Sequence, residues 1–300
     1  MSHQVTIKPS GHVYQVADHD TFLSAAIDAG LNLPYGCRNG ACGACKGKVL
    51  SGEVDHGDHQ STALSDAEKE AGLALFCCAK PLTDAVIECR EVSALNGIKP
   101  RIMPARVQMM EKLSHDVMAL FLKLPSNERM QFLAGQYIEF ILKDGKRRAF
   151  SLANAPHNDE FLELHLRLVP GGAFTEYVFN EMQEKAILRL EGPFGSFYLR
   201  EDSNKPIIFV AGGTGFAPIK GLIEHILHQQ TQREMVLYWG VRTLADLYMP
   251  SLPKAWASIH PNLKFIPVLS DPLASDDWNG RTGFVHQAVL DDFADLSAHE

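Results

Sequence analysis

The chain has 300 residues, 46% of them hydrophobic, and a formal net charge of −8, which is enough material for two or three domains with full cores. No apolar run reaches the length of a membrane span, and Gly212–Gly215 breaks the most hydrophobic stretch, so no span is expected. Residues 1–93 hold 7 Lys/Arg against 12 Asp/Glu, a balance that disfavours nucleic acid and suits a basic redox partner or ordinary solubility equally.

In chain order, Val5–Lys8 and His12–Val16 read as paired strands joined at Pro9–Gly11. Thr21 is placed to cap a helix over Phe22–Gly30 that stops on glycine. Cys37, Cys42 and Cys45 follow in C-x4-C-x2-C spacing, with Cys77 and Cys78 further on. That is the plant-type [2Fe–2S] pattern, in which four thiolates converge from a wrapped loop. Gly36, Gly40 and Gly43 give such a loop the turns and close approach it needs. Zinc would favour two C-x2-C knuckles where one exists, and no signal-peptide core precedes the cysteines, which argues against a secreted disulfide scaffold. Free thiolates fit a reducing, cytoplasmic compartment. Neighbouring residues of an extended segment face opposite ways, so only one of Cys77 and Cys78 can be the fourth ligand. Cys77 is expected, with Cys78 and Cys89 as small buried hydrophobes. His56 and His59 have metal-like spacing but sit in a polar loop, and no metal is expected there. Lys46–Leu50 and Ala85–Cys89 complete the strands, and Ser65–Glu68 opens a helix with a capping box.

Gly97, Pro100 and Pro104 mark residues 94–103 as a linker between a 1–93 domain and a 104–202 domain. In the latter, Gln136–Lys143 and Lys146–Leu152 form a hairpin about Asp144-Gly145. Phe161–Leu168 alternates strictly, turning Leu162, Leu164, Leu166 and Leu168 inward and Glu163, His165 and Arg167 outward. Several such strands without long helices predict a small antiparallel barrel. Arg148 and Phe150 share one strand face and Ser151 ends it, a set that suits a flavin: guanidinium for phosphate, ring for packing, hydroxyl at the isoalloxazine edge. His165 and Arg167 join these candidates. Gly171, Gly172, Ala173 and Thr175 open a helix whose amides suit phosphate. Gly192–Gly195 is a third tight turn.

Residues 203–300 switch to α/β. Pro206–Ala211, Met235–Gly240 and Leu263–Leu269 are apolar strands with helical stretches between. Gly212, Gly213, Thr214 and Gly215 bridge the first strand to a helix opened near Pro218. The loop departs from G-x-G-x-x-G but keeps the strand–loop–helix setting of a pyrophosphate site. His225 and His228 are expected on the solvated face of that helix. Arg242 after the second strand suits a 2′-phosphate and Asp246 repels one, so NADH and NADPH both remain open.

These motifs, in this order, resemble the ferredoxin–NADP+ reductase superfamily with an N-terminal plant-type ferredoxin domain. Arg148-Ala-Phe-Ser151 resembles its flavin motif, with Phe150 in a tyrosine slot. Gly171–Thr175 resembles its flavin-phosphate motif and Gly212–Pro218 its nicotinamide loop. Leu33–Val54, Phe76–Pro81, Leu237–Arg242 and Gly280–His286 are similar to the CDP-6-deoxy-Δ3,4-glucoseen reductase family, whose layout is shared by oxygenase reductases. The resemblance implies a β-grasp ferredoxin domain, a flavin barrel and a Rossmann-like domain. It also implies FAD rather than FMN, oxidation of NAD(P)H, and onward transfer of single electrons through the cluster to a deoxysugar dehydrase or an oxygenase. The family continues past the equivalent of Glu300, so an incomplete nicotinamide domain with slow NAD(P)H turnover is expected. The competing reading is a catalytically silent electron carrier.

Overall fold

The computed structural model describes residues 2–90 and 98–300. They fall into two compact units, Met1–Lys99 with Phe194–Phe197, and Pro100–Pro193 with Tyr198–Glu300.

In the first unit β1 (Ser2–Lys8) and β2 (Val13–Ala17) form the expected antiparallel hairpin. Helix α1 (Phe22–Asp28) starts at Thr21, whose hydroxyl accepts from the Ser24 amide at 3.1 Å while Ser24 Oγ accepts from the Thr21 amide at 2.9 Å. Then come β3 (Lys46–Ser51), β4 (Val54–Asp55), α2 (Asp66–Glu70), β5 (Leu73–Leu75), β6 (Lys80–Pro81) and β7 (Ala85–Glu88). The main sheet has the order β2-β1-β7-β3-β5, with β1 and β7 parallel, and β4 pairs with β6 in a small ribbon. Helix α1 buries Phe22, Leu23, Ala25 and Ala26, and the Phe22 and Phe76 rings meet at 5.4 Å. This is a β-grasp arrangement, whose helix lies across a mixed sheet and leaves the cysteine loop at its margin.

The second unit begins with β8 (Arg101–Lys112), followed by β9 (Val117–Lys123), β10 (Tyr137–Ile141), β11 (Arg147–Ser151), β12 (Leu162–Arg167), α3 (Ala173–Asn180) and β13 (Ile187–Phe194). Their order is β11-β10-β13-β8-β9-β12, and a bridge from Leu152 to Leu164 brings the two ends together as a barrel. The expected linker over 94–103 meets a correction here. Residues 91–97 lie outside the described residues, but 101–103 already belong to β8. Pro104 pairs only towards β13 (with Arg189), and Met103 and Ala105 beside it point into the core, each 2% exposed. A proline is tolerated where the strand is paired on one side.

Residues from β14 (Ile207–Gly212) onward form the α/β part: α4 (Phe216–His228), β15 (Met235–Val241), α5 (Ser251–Ile259), β16 (Leu263–Leu269), β17 (Arg281–Thr282) and α6 (Val285–Asp292). The four strands are parallel in the order β14-β15-β16-β17. Period-two alternation on β15 sends Met235, Leu237, Trp239 and Val241 into the core that holds α4 and Trp256 of α5, and Tyr238 into the smaller core with Ala288 and Val289 of α6. Both faces of the sheet are therefore covered, as parallel pairing requires. Among the described residues no helix is long and apolar enough to cross a membrane.

Strand β12 departs from its simple reading. Glu163 and His165, expected to face outward, are 8% and 4% exposed. The alternation is real, but the face it leaves polar is covered by α4, which supplies Lys220 as a partner. Burial of both faces came from tertiary packing that no local pattern encodes.

A pocket between barrel and glycine loop, and a four-cysteine loop

The cysteine loop is shaped around its sulfurs. The Cys37 amide donates to Cys42 Sγ at 3.3 Å and the Ala41 amide to Cys37 Sγ at 3.4 Å. A Cβ on Gly36 would lie 3.1 Å from Cys42 Sγ, and one on Gly40 (φ +73°) would meet Asp58 O, His59 Cα and Cys78 Sγ at 2.9 Å each. Glycine there lets the loop close on the sulfurs. The Cys45 thiol, together with the Gly40 amide and against burial, pulls the Cys77 thiol down to about 6. Burial and the neighbouring Cys77 push Cys78 up to about 12. The hydrogen bond between Cys45 and Cys77, with burial, pushes the Cys45 thiol up, and Cys77 and Cys78 lie in a turn with their sulfurs 3.5 Å apart rather than on opposite faces of an extended segment. Cys45 and Cys77 are buried and Cys42 exposed; Cys78 and Cys89 are half-buried rather than fully buried as expected. The His56 and His59 rings stand 6.4 Å apart, centre to centre.

In the second unit a cavity of about 590 Å3 is walled by Arg148, Phe150, Ser151, His165, Arg167, Gly172 and Thr175 from the barrel, and by Thr214 and Gly215 from the glycine loop. Sequence expectation therefore converges on one space from two lobes. Arg147 and Arg148 sort themselves. Arg147 is held by Glu139 at 3.0 Å and by Glu191, whereas Arg148 is exposed and bonded to the Arg147 carbonyl at 2.8 Å. Arg167 packs under Gly213, where a Cβ would stand 3.1 Å from Nη1. Its Nε lies 3.1 Å from Asp116 Oδ2, in ion-pair range but off hydrogen-bond alignment, and its Nη2 is buried without a hydrogen-bond partner among the described residues. A buried guanidinium nitrogen left open on a pocket wall fits a phosphate oxygen. The amides that open the thirteen-residue helix α4 add partial positive charge beside it.

Not every expected residue faces the cavity. Gly171 is exposed and its amide donates to Glu176 Oε1 at 2.7 Å; Ala173, Gly212, Gly213 and Pro218 lie off the wall. The Thr175 hydroxyl lines the cavity but is engaged by its own turn, accepting from the Val169 amide at 3.1 Å and donating back to the turn carbonyls. Phe150 packs with Phe140 and Phe174 at 5.8 and 5.7 Å, so the ring serves the barrel core as well as the wall.

Comparison with known proteins agrees with this geometry. Residues 5–82 match a 2Fe-2S iron-sulfur cluster binding domain, 104–198 an oxidoreductase FAD-binding domain, and 209–300 an oxidoreductase NAD-binding domain. The chain is 40% identical over 299 residues to a CDP-6-deoxy-L-threo-D-glycero-4-hexulose-3-dehydrase reductase of Yersinia pestis, covering 99% of this chain and 88% of that one. It is 38% identical to the reductase component of phenol 2-monooxygenase from a Pseudomonas species, over 96% of this chain and 82% of that one. The chain belongs to the ferredoxin–NADP+ reductase-like family that carries a [2Fe–2S] domain. The solved cytochrome P450 reductase GcoB of Amycolatopsis superposes with a TM-score of 0.77 at 35% identity, covering 99% of this chain and 89% of that one.

As a member of this family, the protein is an NAD(P)H oxidoreductase whose cofactors are FAD and a [2Fe–2S] cluster. The presence of the NAD-binding domain favours the enzyme over the silent carrier. The reductase pocket also contains a feature that local sequence reading missed. His165 Nε2 meets Glu163 Oε1 at 2.9 Å, His165 Nδ1 meets the Tyr248 hydroxyl at 3.0 Å, and Glu163 Oε2 meets Lys220 Nζ at 2.8 Å. Burial opposes ionisation of Glu163, but His165 and Lys220 hold its carboxyl below the usual range. Burial likewise opposes the Lys220 charge, and Glu163 and Glu224 restore it, raising its pKa. An ionised Glu163 carboxylate can only accept, so the Nε2 edge of His165 donates to it. On α4, His225 binds Glu201 at 3.1 Å and the exposed His228 ring stacks on His157 at 3.7 Å, so the solvated face also carries contacts. Arg242 is exposed and 3.6 Å from Asp271, while Asp246 accepts from the Thr243 amide at 2.9 Å.

Proposed function

We propose that the reductase draws electrons from NAD(P)H at the barrel pocket and delivers them through the four-cysteine loop to a separate protein, a deoxysugar dehydrase or an oxygenase component. The observation that carries this reading is the shared cavity, which sets the Arg148–Ser151 strand and the Thr214–Gly215 loop around one space. Bound there, FAD supplies hydride acceptance and release of electrons one at a time. Arg148 and Arg167 hold the phosphates, with the amides of Thr214 and Gly215. Ser151 orients the ring edge, and Phe150 and Phe174 exclude water from the barrel side. Cys37, Cys42, Cys45 and Cys77 hold the irons, and the amides of Cys37 and Ala41, donating to the Cys42 and Cys37 sulfurs, stabilise the thiolate charge. Partners of the dehydrase and oxygenase kinds are those named for the relatives in Yersinia pestis and Pseudomonas.

The test is anaerobic addition of NADH, then NADPH, to the purified protein while the flavin and cluster absorbances are followed. Bleaching of both bands, and reoxidation on adding a dehydrase or oxygenase component, is expected. A protein that bleaches with dithionite but with neither dinucleotide refutes the reading.

A further inference from the structure

Lys220 lies in the second turn of α4, five residues after Gly215, and is only 7% exposed. An ammonium has three protons to donate, and three acceptors surround this one: Glu163 Oε2 at 2.8 Å, Glu224 Oε1 at 2.9 Å and the Ala153 carbonyl at 3.2 Å. Two of the three belong to the barrel. Glu163 is on β12, and Ala153 follows the end of β11, so Lys220 touches the two strands that carry the pocket wall. The helix backbone is equally close there, because a Cβ on Gly221 would meet Asn154 O at 2.9 Å.

The contacts continue inward. Glu163 Oε1 accepts a hydrogen bond from His165 Nε2–H, Tyr248 engages the opposite ring nitrogen, and the ring itself is fully buried, so at His165 the cavity borders the β12 backbone in front of the imidazole. One chain of hydrogen bonds thus runs from the ring behind the β12 wall of the pocket through Glu163 to Lys220. Lys220 sits on the helix whose preceding loop supplies Thr214 and Gly215 to the same cavity. As glue, a buried ion pair is a poor choice, since apolar side chains of similar volume hold two surfaces at least as firmly. What apolar packing lacks is direction: it would neither fix the imidazole plane nor tie the Ala153 carbonyl to the helix.

We propose that Lys220 is a positioning residue of the cofactor pocket, acting through Glu163 on His165 and through the Ala153 carbonyl on the end of the Arg148–Ser151 strand. The pocket wall and the glycine loop then keep one spacing as ligands enter and leave. The inference rests on the cofactor reading above and assigns no proton or electron step to Lys220.

Lys220→Met alone strands a buried carboxylate and is expected to lower the thermal midpoint. The informative variant is Lys220→Met with Glu163→Leu, which removes both charges from the full chain. Its thermal midpoint is expected above that of Lys220→Met alone, because only Glu224, which is partly exposed, is then left without its ammonium. Its FAD dissociation constant, from fluorescence recovery on dilution, is expected to rise about tenfold or more, and its limiting rate of flavin bleaching by NADH to fall by a similar factor, with half-saturating NADH within about threefold. His165→Phe leaves the Glu163–Lys220 pair intact and is expected to weaken FAD to a similar extent, with little further loss when combined with the double variant. Parent-like FAD affinity and bleaching rate in the folded double variant would reduce Lys220 to structural cement, and a parent-like His165→Phe would break the route through the imidazole; either overturns the proposal. A parent protein that takes up no FAD would instead refute the cofactor reading, so the two failures are told apart.

Discussion

Replacing Gly47 by alanine puts a methyl group where the Phe76 ring already is. The added Cβ would stand 2.2 Å from Phe76 Cε2 and 2.6 Å from Cζ, with the Glu88 carbonyl at 3.1 Å on another side. To reach ordinary contact the ring must retreat by about 1.2 Å, yet it is 1% exposed and packed against Phe22 at 5.4 Å. The strain reaches the cysteines directly, because the Phe76 amide donates to the Cys45 carbonyl at 3.1 Å and Cys77 is the next residue. Overpacking of this kind costs about 1–3 kcal/mol. Removing a glycine from a strand returns about 0.5–1 kcal/mol. Taken at mid-range, the net loss of about 1 kcal/mol in a unit of this size corresponds to roughly 4–8 °C in thermal midpoint. Heating the protein while following cluster absorbance, with flavin fluorescence as the reference for the other unit, reads the effect. Phe76→Leu should absorb the methyl, so Gly47→Ala/Phe76→Leu is expected to be no less stable than Phe76→Leu alone. Unchanged cluster content and bleaching temperature in Gly47→Ala would refute the argument.

Cys77→Ser is expected to lose the cluster absorbance and its iron, and Cys78→Ser to retain both; the reverse result moves the fourth ligand by one residue. Arg148→Ala is expected to weaken FAD binding about ten- to a hundredfold, as loss of a charge-assisted phosphate contact would, and unchanged FAD fluorescence titrations would remove Arg148 from the site. Glu68 is held down to about 2 by Lys46 at 2.5 Å, then by the Ser65 amide and hydroxyl. Its folded value lies below the ordinary 4.5, so its stabilisation is complete above that pH and is lost as pH falls towards about 2. The difference in thermal midpoint between the parent and Glu68→Gln should therefore be flat near neutrality and shrink below about pH 4.5; a difference that grows on acidification would contradict the sign.

Much of this architecture is carried by short-range signals. The helix starts at Thr21 and Ser65 rest on side chains three residues away, the Asp144–Gly145 turn on a glycine at φ +80°, and the cysteine loop on spacing within nine residues. Each is decided by atoms that a window of sequence contains. Pro104 shows the limit: proline reads as a break, but whether a strand tolerates it depends on which edge is paired, and that partner is Arg189. Thr175 shows another, since the spacing that suits a phosphate also lets its hydroxyl close its own turn.

The harder limit is β12. A polar residue on an alternating strand signals either solvent or a buried partner, and the two cases have the same local pattern. Glu163 and Lys220 are separated by 57 positions along the chain, and neither is unusual in its own segment, where each reads as an ordinary exposed charge. Only their meeting changes their meaning, because a carboxylate excluded from water must be matched or neutralised. The same applies to His165, expected from its strand as a flavin candidate, whose place at the end of a buried hydrogen-bonded chain no local pattern shows. The cofactors of this reductase could be read from motifs. The arrangement that holds two lobes to one pocket could not, and it is there that substitutions far from any motif should alter flavin affinity.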